Sequence, residues 1–304
     1  MLTNLWLCVQ EMKAQNNRPD AQAVLAGNEY ILQAIPEVED WIVAECEMDF
    51  VPRVETIYMD FDQNSVDIYN NQLLLTTPFL EITSVKVDGT TLTLWDGQSS
   101  TRSASDYYIT PRGKYPIHIL QGLQPDVWLP DNPDHYIDGI EVSGITGYHT
   151  DYPKAWKASG TTVQTIINAS ATSLVVNNAS GTQFDGSPRF SEGQLLRIGT
   201  ELLKLWSIDT GTNTLTVERA VLGSTAASHA VSDVVEVWHP QPQIVRAATR
   251  WAIYMAKRRA TYDTVKLDAG AAGNVTISTP AVVPEEVAKI IGMLSNPYNK
   301  VYGI

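Results

Sequence analysis

Between Arg53 and His239 the apolar residues of this chain change period, and that change limits the folds open to it. In "RVETIYMDF", "SVDIYNNQLLLT" and "ITSVKVDGTTLTL" they alternate or run in β-branched strings, which predicts strands. "VDGTTL" sets Asp-Gly between apolar runs, the signature of a hairpin turn. "DYYITPRGKYPIHIL" reads strand, turn, strand, with Arg-Gly-Lys in the turn, and "DGIEVSGITGYHTDYPKAWKAS" ends the block in Gly and Pro, near His149. A second β block runs from Thr161 to Val237. Its short runs "TSLVVNN", "QLLRIGTELLKLWSID", "NTLTVERAV" and "DVVEVWH" fall roughly 10 to 15 residues apart, which suits a small barrel or sandwich.

Outside these blocks the period is helical. "LTNLWLCVQEMKAQ" puts Leu2, Leu5, Trp6 and Val9 on one stripe, with Thr3 or Asn4 as cap. A second helical stretch opens at Pro19 and Asp20, residues suited to a first turn, and carries Val24, Leu25, Tyr30, Ile31 and Ile35 on one face. Pro36 is expected to kink or split it, with Trp41, Ile42 and Ala44 continuing beyond. After the β blocks, Ile244, Ala248, Trp251 and Met255 mark a third helix, and "PEEVAKIIGML" a last one with Val287, Ile290, Ile291 and Leu294 inside.

The order is helices, β block, second β block, helices. It predicts an α+β chain: a discontinuous helical core with a β-rich block, residues 1–159 and 238–304, and an inserted small all-β domain, barrel or sandwich, at 160–237. The joins "YPKAWKASGTT" and "WHPQPQ" are polar and contain Pro, as domain boundaries tend to be.

Charge narrows the function. The 304 residues carry a formal net charge of −13, which argues against a general nucleic-acid coat or a binder of anionic membranes. It is compatible with a wall along which DNA slides without sticking. The two cysteines, Cys8 and Cys46, form no CxxC and support no disulfide framework, so they read as small buried hydrophobes in a reducing compartment. No apolar run approaches the ~18 residues of a membrane span. The first residues lack the basic start and A-x-A site of a signal peptide, which predicts a protein that stays in the cytosol or leaves it by another route.

The candidates for chemistry are weak. Ser224 and His229 in "LGSTAASHA" could suggest a nucleophile and base, but the run is not G-x-S-x-G and offers no third residue. A turn of small residues between two strands is the preferred reading. "DFDQNSVDIYN" begins like a calcium loop with Asp60, Asp62, Asn64 and Asp67, yet has Ser65 where Gly is needed and Asn71 where a bidentate Glu belongs. The histidines 118, 135, 149, 229 and 239 are scattered, with no zinc spacing, and no phosphate-cradling glycine loop occurs. No cofactor is expected. The strongest charge contrast is the helix bearing Arg246, Arg250, Lys257, Arg258 and Arg259, either a solvated and ion-paired face or a contact for an acidic partner.

The order of these elements resembles the head–tail connector (adaptor) proteins of tailed bacteriophages. The cues are "AQAVLAGNEYILQAIPEVEDWI", an apolar-Pro-apolar strand before "SVKVDG", "DYYITPRGKYPIHIL", the exit "GYHTDYP", the helix "QIVRAATRWAIYMAKRR" and the tail "VPEEVAKIIGMLSNPYNKVYGI". The β block after Thr161 is absent from the small connectors. It resembles a β module of phage tail and neck proteins, marked by "IG-x-E" and "ER-x-x-x-GS-x-A-x-x-H".

The resemblance implies a helical connector core and a structural role in the virion neck, without catalysis. Copies assembled in the host cytoplasm would form a ring of about twelve beneath the portal protein, pass genomic DNA without sequence-specific binding, and dock tail or neck proteins. No membrane is involved. The family's portal-binding segment maps onto Val283, Pro284, Ile290, Leu294, Tyr298, Tyr302 and Ile304. An alternative is a tail-completion or baseplate protein whose β insert binds a tail component or host glycan.

Overall fold

A computed structural model of the chain describes residues 2–3, 5–15, 28–62, 65–130, 136–183, 186–262 and 283–294. Strands dominate. Thirteen strands in two antiparallel sheets stand against four short helices among the described residues. The expected α+β chain built round a helical connector core is therefore overturned. Each β block buries its own apolar cluster and so is a body in itself rather than a covering for helices. The described residues divide into two compact units, one within 1–47, 157–219 and 226–294, the other within 48–156 and 220–225.

The second unit holds a seven-stranded sheet. Its main path is β1 (Arg53–Met59), β7 (Ile140–Thr146), β3 (Gln72–Val87), β6 (Ile117–Gly122) and β5 (Tyr107–Thr110); β2 (Val66–Asp67) and β4 (Thr90–Thr91) also pair with β3. Along the main path the long β3 serves two partners in turn. Its first part pairs with β6, from Gln72↔Gln121 to Phe79↔Ile117, and its second with β7, from Phe79↔Thr146 to Val87↔Ile140. Pro78 cannot donate to a ladder and lies where the register shifts; its carbonyl accepts from Gly147 N–H at 3.0 Å. Asp88 and Gly89 both have positive φ, 49° and 76°, as a type I′ hairpin requires. Inside lie Met59, Leu73, Phe79, Val85, Ile140 and Trp128, the last donating its indole N–H to the Asn71 carbonyl at 3.1 Å.

The first unit contains the other sheet. β8 (Trp156–Thr162), β13 (Val234–Trp238), β10 (Leu195–Ile198), β11 (Glu201–Asp209), β12 (Thr214–Glu218) and β9 (Ser173–Val175) follow one another. The path closes on itself: Val163 bridges Val176, with Gln164 N–H donating to Val175 O at 2.9 Å and Asn177 N–H to Thr162 O at 3.0 Å. A closed six-stranded barrel removes free edges, and its interior is filled by Val163, Leu174, Leu196, Leu203, Leu215 and Val235.

The helices of this unit are α1 (Leu5–Gln15), α2 (Asn28–Cys46), α3 (Pro242–Tyr262) and α4 (Glu285–Leu294), with α3 touching the other three. Apolar stripes explain the packing. Ile31, Ala34, Val38 and Ile42 of α2 and Ile244, Ala248, Trp251 and Ala252 of α3 are buried, and the Trp41 and Trp251 rings lie 5.4 Å apart. Thr3 Oγ1 and Thr249 Oγ1 share a 2.7 Å hydrogen bond, and Leu2 N–H is held by Glu39. Contrary to expectation, α2 runs unbroken through Pro36. The ring faces solvent, and the stripe on both sides of it is buried, which offsets the lost backbone bond. The expected start of that helix at Pro19 lies outside the described residues. Among the described residues no helix is long and apolar enough to cross a membrane.

Candidate functional site

Arg219 and His229, at the two ends of the stretch that raised the question of catalysis, are gathered by a buried acid. Glu201 opens β11 directly after the Gly199-Thr200 turn, and its side chain is fully buried. Arg219, just past β12, reaches it with two prongs, Nε to Oε1 at 2.6 Å and a terminal nitrogen to Oε2 at 2.7 Å. His229 Nε2 lies 2.7 Å from Oε2, and Ala227 N–H donates to the same oxygen at 3.0 Å. Arg219 spends its remaining donors on the carbonyls of Asn168, Ala171 and Ala227. Burial alone would push the Glu201 carboxyl up. The bonds from Arg219, Ala227 and His229 outweigh it and bring the pKa down to about 2.

His229 is thus oriented by an acid, as a catalytic base would be, but it belongs to a structural cluster. Its ring is buried and its backbone pairs with Ile167 in both directions, at 3.0 and 3.2 Å. Ser224 belongs to the second unit, and its hydroxyl donates to the Val221 carbonyl of its own turn at 2.9 Å. In that turn Val54 N–H donates to Leu222 O at 2.8 Å. Gly223, at φ +77°, comes so close that a Cβ on it would meet Val54 O at 2.0 Å. The Gly of the "GS" motif is there for backbone approach, and the Glu, Arg and His of the motif are partners of one another. Sequence reasoning quoted both halves of the motif without joining them. The signal was an acid set into the apolar run "IGTELL".

The acidic run is a set of turns. Asp62 accepts Ser65 N–H at 2.8 Å, Asp67 accepts Asn70 N–H at 3.0 Å, and Asp60 accepts Asp138 N–H at 3.0 Å. Asn71 adopts φ 53° and donates to the Gln124 carbonyl at 2.8 Å; Asn64 lies outside the described residues. Among the described residues no three His, Cys, Asp or Glu side chains converge as metal ligands would. The cysteine thiols are pushed up by burial, Cys8 to about 11 and Cys46 to about 12, which keeps them protonated and inert. Burial lowers the pKa of His118, and His149 Nδ1 accepts Asp151 N–H at 3.0 Å.

On α3, Arg246 pairs with Glu286 of α4 at 2.7 Å, and Arg250 with both Glu286 and Glu11 of α1. These two arginines hold helices together. The side chains of Lys257, Arg258 and Arg259 are outside the description. Of the C-terminal segment, Val283, Pro284 and Ile290 are half-buried, and Tyr298, Tyr302 and Ile304 lie outside the described residues, as does the Leu294 side chain.

A feature sequence reasoning passed over is a cleft of about 280 Å³ in the second unit, lined by Leu94, Trp95, Asp96, Arg112, Lys114 and Tyr115 among others. The Arg112 guanidinium stacks 4.1 Å from the Trp95 ring centre, and Arg102 lies 5.5 Å from it. The turn residues Arg112 and Lys114 were visible in the sequence; the tryptophan that gathers them, seventeen residues before Arg112, was not placed beside them. No protein-family model matches the chain, and no curated protein matches it.

Proposed function

We propose that the chain is a non-enzymatic assembly protein of a tailed-phage neck, a ring-forming head–tail adaptor that docks beneath the portal, extends the DNA channel and offers the tail its attachment surface. The carrying observation is the sequence order, from "AQAVLAGNEYILQAIPEVEDWI" to the tail after Val283. Two features of the molecule support a structural role. The residues that invited a catalytic reading are engaged in fixing turns. Large apolar side chains also stand singly in water, among them Tyr69 at 102%, Ile137 at 78% and Met293 at 81% exposure, each free for a partner to cover. The net charge of −13 suits a channel that passes DNA without holding it. Electron microscopy of the purified chain mixed with its portal tests the reading. Rings seated on the portal are expected; a chain that ignores the portal defeats it.

A second reading makes the chain a tail-completion or baseplate protein whose barrel binds a tail component or a host glycan. Trp206 favours it. The ring is 53% exposed on the barrel wall, with Lys204 Nζ 4.4 Å from its centre. Glycan-array binding abolished by Trp206→Ala would move the weight to this reading.

A further inference from the structure

The cleft at Trp95 gathers more positive charge than negative: Arg102, Arg112 and Lys114 stand at it against one lining acid, Asp96. Most described cations sit against acids: Arg53 on Asp49, Lys86 on Glu141, Lys154 on Asp151, Arg197 on Glu236. Arg102, Arg112 and Lys114 form no salt bridge among the described residues, although the chain holds 34 acids against 21 lysines and arginines; Asp96 lies near enough for Arg112 to help lower its pKa, after its bonds from Thr101 and Gln98, and offsets one of the three charges. They are also gathered and held. Trp95, on which both arginines rest, is fixed by its indole bond to the Gln98 carbonyl at 2.6 Å and by Tyr108 edge-on at 6.0 Å. Gly97, at φ +98°, makes room: a Cβ there would stand 2.8 Å from an Arg112 terminal nitrogen. A guanidinium already held in place loses little freedom when a carboxylate meets its fork.

We propose that this basic cleft is a self-association site, taking carboxylates from the outer face of α2 of a second copy of the chain. The inference rests on the assembly role proposed above. The exposed face of α2 carries Glu29, Gln33, Glu37 and Asp40, opposite the stripe of Ile31, Ala34, Val38 and Ile42 that is buried. Identical chains of net charge −13 repel one another at a distance, so their association needs a local contact of opposite sign. A basic site and an acidic face at different places on one chain make a head-to-tail contact, the kind that closes rings. A nucleic-acid occupant is disfavoured. The overall field repels a polyanion, and the Trp95 face on which a base would stack carries Arg112.

Sedimentation velocity of the full chain at about 50 mM and about 1 M salt tests this. The wild type is expected to associate at low salt and dissociate at high salt. Lys114→Glu and the pair Glu37→Lys/Asp40→Lys are each expected to weaken association about tenfold or more. Adding Lys114→Glu to the Glu37→Lys/Asp40→Lys pair is expected to recover part of the association, because the reversed cleft residue then meets the reversed face while Arg102 and Arg112 still oppose it. Lys114 is exposed and leaves the Arg112–Trp95 stack intact, so its reversal tests charge without disturbing the fold. Association unchanged by these reversals, or a triple variant no better associated than Glu37→Lys/Asp40→Lys in a chain whose circular dichroism is native, overturns the proposal. So does Lys114-dependent retardation of a short fluorescent DNA duplex. A chain that stays monomeric yet binds the portal overturns this contact and leaves the assembly role standing. One that associates through the cleft and ignores the portal does the reverse.

Discussion

In the barrel, the turn leading from Arg219 to His229 is built on charges withdrawn from water; in the seven-stranded sheet, the turns between Asp60 and Asn71 are built on charges left in it. Glu201 is fully buried, and the Arg219 and His229 side chains are 6% and 5% exposed. Asp60 and Asp62 are exposed and accept bonds from nearby backbone. Both stretches are dense in residues that catalysis and metal binding favour. The difference is environmental. A buried carboxylate stays ionised only when every lone pair is answered, and Glu201 is answered by Arg219, Ala227 and His229. An exposed one can lose its partner to water at little cost.

The sharpest way to break this contrast is to remove the buried acid. Glu201→Ala leaves Arg219 charged with no counter-ion, and is expected to cost about 3–5 kcal/mol in urea unfolding of the barrel. Replacing both partners together, Glu201→Leu with Arg219→Met, should cost much less, since no charge is then stranded. A single substitution costing under about 1 kcal/mol would show that burial is not what distinguishes the two turns.

Acid tests the same residue without mutation. The Glu201 pKa lies below its unfolded value of 4.5, at about 2, so the unfolded chain binds the extra proton first. The stability this contributes, of order 3 kcal/mol, is fully present above about pH 4.5 and is lost as pH falls towards 2. Unfolding midpoints across that window should fall in the wild type and much less in Glu201→Leu/Arg219→Met. Next in size is Gly223→Ala, expected to cost about 1–3 kcal/mol, because the new Cβ meets Val54 O in a left-handed backbone. A calorimetric loss near zero would mean that Val54 and Leu222 part easily.

Much of the local structure was legible in the sequence. Strand alternation placed β1 and β7 and read β3 as two separate runs, and Asp88-Gly89 announced its hairpin because only positive φ at both positions satisfies that turn. What failed was the weighing of parts. Helical stripes such as Ile31 to Ile42 are conspicuous, whereas β3 hides its importance: its sixteen residues serve two partners in succession, which no periodicity displays. Pro36 was given too much force, since an exposed proline costs a helix one bond while the buried stripe on either side retains its burial. The candidate sites were legible residue by residue and not as sets. Glu201 and His229 are 28 positions apart, and only the fold sets them 2.7 Å from each other. Trp95 and Arg112 likewise meet only through the fold.

The smallest expected effect lies on the exposed side of the comparison. Asp67 accepts bonds from the Asn70 amide and side chain, at 3.0 and 2.6 Å, and the Asn70 side chain lowers its pKa. That shift has the same sign as the one at Glu201, so pKa direction alone would rank the two residues together. Solvent separates them. Water replaces Asn70 once Asp67 is protonated or removed, whereas nothing replaces Glu201 beside Arg219. Asp67→Ala should therefore leave the urea midpoint of the chain within measurement error from pH 7 down to 4. A loss from Asp67→Ala as large as that from Gly223→Ala would mean that the Asp67 turn stabilises the sheet from the surface, and burial would no longer explain why one polar turn carries stability and the other only shape.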